Sequence, residues 1–155
     1  MTAVLAAVRP DSWNFPLFVH VLGAMILVGG LLTGASLLAF ARGDARLLRL
    51  GYWTLVAVAL PGYLVMRTGA EWIYSKEPYK DLPEGVEEPA WIGIGYIVAD
   101  LGALLVLLAL ILGGIGMRRL RGGGGAGLLK ATMVISLLVL AAAVVAIWAM
   151  AGKPD

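Results

Sequence analysis

The chain has 155 residues, 61% of them hydrophobic and 14% charged, with a net charge of +2. Soluble domains run about 45–50% apolar with roughly a quarter charged, so this composition excludes an ordinary soluble domain and points to a bilayer. The absence of cysteine removes disulfides, thiolate metal sites and a cysteine nucleophile. The few basic residues sit beside apolar spans, which argues against nucleic acid as a partner.

The length suits one domain, 1–155. TAVLAAV, near the start, is too short for a signal sequence, and the span after it lacks a small-residue cleavage pattern, so no cleaved leader is expected. The first apolar segment, 14–41, contains FPLFVHVLGAMILVGG (15–30) and with it the single histidine, His20. Helical steps from His20 reach Gly23, Ala24 and Leu27, then Gly30 and Gly34. Such a small-residue stripe lets membrane helices touch, so His20 is expected to face the bundle. ARGDARLLRLG (41–51) follows as a loop, with Arg42, Arg46 and Arg49 against Asp44.

The second segment, 51–74, carries Pro61-Gly62, expected to kink it, and then Tyr63, Met66, Arg67 and Glu71. The loop SKEPYKDLPEGVEEPA (75–90) sets two lysines against Glu77, Asp81, Glu84, Glu87 and Glu88. The third segment, 91–117, contains Tyr96 and Asp100. In the next connection, Arg118, Arg119, Arg121 and Lys130 have no acidic partner, and RGGGGAG (121–127) reads as a flexible linker. It lacks the GK[ST] ending of a phosphate-binding loop. The fourth segment is 128–151.

Each segment exceeds the ~20 residues that cross a bilayer as a helix. None alternates with period two, which argues against a barrel. The fold class is therefore all-α, a four-transmembrane-helix bundle. Cytoplasmic loops are enriched in Lys and Arg. Both arginine-rich loops are thus expected inside, with the acidic loop and both termini on the extracytoplasmic side of a bacterial inner membrane. Trp13, Trp72, Trp91 and Trp148 fall at expected outer ends and Trp53 at an inner end, as an aromatic belt requires.

Within the spans, the ionisable residues are His20, Arg67, Glu71 and Asp100. At 1.5 Å per residue, His20, Arg67 and Asp100 lie roughly 9–14 Å below the outer edge, at nearly one level. An isolated charge there costs at least a few kcal/mol, and a pair recovers much of it. Arg67 is expected to pair with Asp100, with Glu71 one turn away. Asp100 or a backbone carbonyl is expected to hold His20. Together with Tyr63 and Tyr96 these residues outline a polar pocket open to the outer side.

The stretch FPLFVHVLGAMILVGG resembles the first helix of a group of small bacterial membrane proteins with the pattern H-x-x-G-x-x-x-x-x-G-G, here His20, Gly23, Gly29 and Gly30. The group includes copper-resistance-D-like membrane domains, membrane proteins related to protoporphyrinogen oxidation, and an uncharacterised predicted integral membrane family, which the chain resembles most. The resemblance implies haem or metal handling by the first-helix histidine. Only His20 can carry that role here, so a bis-histidine haem within one chain is out of reach. A haem b would need Met66, or the His20 of a second copy, as the other axial ligand, with Arg67 on a propionate. A copper or other metal site would rest on His20 and scattered methionines.

Three functions stay open on these grounds. One is an accessory or interaction protein without catalysis of its own, working as a homo-oligomer or within a larger membrane complex. Another is a b-type haem, porphyrin or metal-binding redox protein. The last is a proton-coupled transport component, which the apolar inner halves, broken only by Thr33, Thr132 and Ser136, disfavour. No hydrolase motif is present, so an enzyme is not expected.

Overall fold

The computed structural model describes residues 11–76 and 89–152, and every regular element among them is helical. A single 3₁₀ turn, Asp11–Trp13, leads into α1, Asn14–Phe40. The next helix, α2, runs continuously over Ala45–Tyr74; α3 is Ala90–Leu120 and α4 is Ala126–Gly152. All four are long and apolar enough to cross a membrane. Of the acidic loop, Glu77, Asp81, Glu84, Glu87 and Glu88 lie outside the described residues.

Three boundaries differ from the sequence reading. The second helix starts at Ala45, not 51, because Asp44 caps it. Its carboxylate accepts from Arg46 N at 2.7 Å, and its backbone is extended, as an N-cap requires. The segment 45–50 is then a first turn that buries Leu48 while Arg46 and Arg49 stay exposed. The third helix continues to Leu120, three residues beyond expectation, and the fourth begins at Ala126.

The glycine run between α3 and α4 is an ordered cap rather than an open linker. Gly124 N donates to Arg119 O at 3.1 Å and Gly123 N to Leu120 O at 3.2 Å. Gly123 has φ +80°. This is the Schellman pattern, in which a left-handed residue just past the helix lets the chain satisfy the last carbonyls, and glycine adopts that conformation without steric cost.

Pro61 does not break α2. The five residues before its turn, Leu55–Ala59, are wound as a π-helix, and Leu60 N–H reaches back to Leu55 O. The wider turn accommodates a residue that lacks an N–H and crowds the carbonyl four positions earlier.

Packing is uneven around the bundle. α1 lies along the whole of α2 and also against α4; α3 packs on α4; α2 and α3 meet at few points. The α1–α2 seam is close. A Cβ at Gly62 or Gly69 would come within 2.5 Å of the backbone nitrogen of Leu27 or His20, and one at Gly30 within 2.6 Å of Ala59 N. The α2–α3 seam is held by individual side chains instead. Near the basic end, Tyr52 sits against Gly113 and Gly114, and its hydroxyl donates to Leu110 O at 3.3 Å.

The two ends of the bundle also differ. Toward the arginine-rich turns, Leu31, Leu38, Leu48, Leu55, Val106 and Leu129 form a closed core. Thr132, fully buried there, donates to the carbonyls of Ala109 (3.1 Å) and Leu128 (3.0 Å). Toward the end where α1 begins and α2 finishes, the four helices line a partly open cavity.

Candidate functional site

The cavity has a volume of about 180 Å³ and takes residues from all four helices. Its walls are mainly aliphatic, including Leu17, Ala24, Leu27, Ile92, Ala143 and Ala146. His20, Tyr63, Arg67, Tyr74 and Tyr96 supply the polar groups. It exists because α2 and α3 diverge here, while glycines hold α1 and α2 together.

His20 is placed by that glycine seam. Gly69 lies against its backbone and Gly23 against the backbone of Met66. The close approach brings His20 Nδ1 to 3.0 Å from Met66 O. A carbonyl only accepts, so Nδ1 carries the proton. In the neutral ring, Nε2 then holds the lone pair. The backbone carbonyl is one of the two partners the sequence allowed for His20; the other, Asp100, is engaged elsewhere.

Arg67 and Asp100 form the expected pair, with Nη2 to Oδ1 at 3.0 Å, and the same nitrogen reaches Glu71 Oε1 at 3.0 Å. The Arg67 guanidinium also stands over the Tyr96 ring, 5.0 Å from its centroid, in cation–π range. Tyr96 packs edge-on against Tyr74 at 5.4 Å. Tyr63 Oη donates to Ala99 O at 3.2 Å. These contacts bridge α2 to α3 where the backbones separate.

The expected single polar pocket thus resolves into two parts. His20 and Tyr63 line the interior, along with Arg67 and Tyr96. The carboxylates of Glu71 and Asp100 are not among the lining residues, and their side chains are 50% and 66% exposed, against 27% for Arg67. They stand on the outer face of the α2–α3 seam. The helix-packing glycines also divide. Gly23 and Gly30 meet α2 backbone, whereas Gly34 meets the Leu55 side chain.

Gly51, Gly62 and Gly69 are the partners on α2 that sequence reasoning missed. Their spacing, 62 to 69, is one heptad and was a readable signal. Tyr52 was missed as well, because nothing local marks an aromatic residue that fits a notch on another helix.

A haem held by His20 and Met66 does not fit. The sulfur would have to lie beyond the iron, on the side away from the imidazole. The Met66 main chain is instead bonded to the near edge of that same ring, and one methionine side chain cannot span round it. The cavity is also small for a tetrapyrrole. A cavity of about 150 Å³ holds a single benzene. No group of three His, Cys, Asp or Glu side chains that could hold a bare metal gathers among the described residues.

No family model, curated protein or solved structure matches the chain.

Proposed function

We propose that the chain is a multi-pass protein of the bacterial cell membrane, with the arginine-rich turns inside and both termini outside. In this reading it is a non-catalytic accessory component that holds a small apolar molecule in its outer half. The carrying observation is the partly open cavity of about 180 Å³ lined by four helices beside a packed core. Membrane interiors close-pack like soluble ones, and an empty apolar space forfeits dispersion contacts on every wall. The α2–α3 seam, bridged by side chains rather than by backbone contact, gives a lateral route from lipid.

Transport is the weaker reading. Beyond the cavity the bundle closes over Leu31, Leu55, Ala59, Val106 and Val139, leaving a space of only about 10 Å³. Haem is weaker still, for the geometric reasons above.

Native mass spectrometry of protein extracted in mild detergent tests the binding role. The wild type should carry a small lipophile that Ala143→Phe, which fills the cavity, does not. The same bound complement in both proteins, or none in the wild type, would remove this proposal.

A further inference from the structure

Resting on the reading that the cavity holds a molecule drawn from the bilayer, we infer that this molecule is a neutral lipophile bearing a hydroxyl group, an alcohol or phenol, and that His20 Nε2 accepts its hydrogen bond. Size sets the scale. A space of about 180 Å³ suits a single ring or a short branched chain, since about 150 Å³ holds benzene. Phospholipids and macrocycles are too large to fit wholly within it.

Charge removes the ionic alternatives. One arginine and two carboxylates leave the rim at −1, and Arg67 Nη2 is shared between Glu71 and Asp100, so an acidic headgroup is not attracted. A cation finds no counter-charge inside, because neither carboxylate lines the cavity.

Hydrogen-bonding capacity then selects the group. His20 spends its Nδ1 proton on Met66 O and Tyr63 spends its hydroxyl proton on Ala99 O. Both residues line the cavity, and each has acceptor capacity left: Nε2 of the Nδ1–H ring and the lone pairs of the phenolic oxygen. Of the donors in the lining, Arg67 directs Nη2 to the carboxylates on the outer face, and the Tyr74 and Tyr96 rings are packed on each other. A ligand that donates satisfies Nε2. An ether or ketone of the same shape leaves it unpaired in an apolar site, which is the costly case.

The test compares 4-methylphenol with its methyl ether, 1-methoxy-4-methylbenzene, on the full chain in mild detergent, with both affinities corrected for micelle partitioning. The phenol should bind roughly tenfold tighter or more, and His20→Phe should abolish that preference. A second measurement needs no variant. His20 is the only histidine, so ¹⁵N-histidine labelling gives one Nε2 resonance, which should move when the phenol is added and stay when the ether is. Equal binding of both probes, or an unmoved resonance at saturating phenol, would overturn the hydroxyl assignment while leaving the cavity-binding role standing. Binding of neither would overturn both. A preference that survives His20→Phe would overturn the role of His20.

Discussion

Arg67 of α2 holds Asp100 of α3 at 3.0 Å across the seam where these two helices otherwise scarcely touch. The pair braces the seam: Arg67 also reaches the cavity lining, and Asp100 lies outside it. The pair sits about 10–15 Å along each helix from its end; in the proposed membrane setting its outer face meets lipid, where unpaired charge costs about 2.5–3.5 kcal/mol on insertion scales.

The brace predicts an order of effects. Asp100→Asn leaves Arg67 with Glu71 and should cost only about 1 kcal/mol. Arg67→Gln strands two carboxylates and should cost about 2–3 kcal/mol. Thermal melting in detergent reads both. Equal shifts, or no shift for either variant, would show that the pair does not brace the seam.

The glycine seam predicts a sharp contrast within one residue type. Gly69→Ala places a Cβ 2.5 Å from His20 N, whereas Gly29→Ala meets nothing within 4 Å. The first should destabilise by about 1–3 kcal/mol, as overpacking does. The second should be neutral or slightly stabilising by helix propensity. Because Gly69 backs His20, the first should also perturb the histidine ¹⁵N resonances.

Orientation can be read by labelling, since the chain has no cysteine of its own. Glu84→Cys should react with an impermeant maleimide in intact cells. Gly124→Cys should react only after permeabilisation. The reverse pattern would invert the topology.

Absorption spectroscopy addresses haem directly. Protein purified from haem-sufficient cells should show no Soret band, oxidised or after dithionite. A Soret band lost in His20→Ala would overturn this expectation and point to an axial ligand other than Met66, such as the His20 of a second copy.

Much of the architecture was legible because the bilayer imposes it. Long apolar runs must be helices where no water can satisfy the backbone, and the loop charges bracket them. Asp44 and the glycine run illustrate what was present but misread. By charge alone Asp44 reads as a loop acid, yet it is an N-cap, and a glycine run reads as loose, yet Gly123 forms a Schellman cap. Arg67–Asp100 was legible because opposite charges at one depth have few other partners in lipid.

By itself, the sequence determined four helices long and apolar enough to cross a membrane, their ends to within a few residues except at the start of α2, and the positions of His20, Arg67 and Asp100 along them. All of these follow from composition and rise per residue. Only the tertiary structure decided which helices touch. That depended on whether two surfaces without polar groups fit, as Gly69 fits His20 and Tyr52 fits the Gly113–Gly114 notch. It separated Asp100 from His20 and left the cavity between them and α4. A void belongs to no residue: it arises where α2 and α3 diverge, and hydropathy carries no record of that.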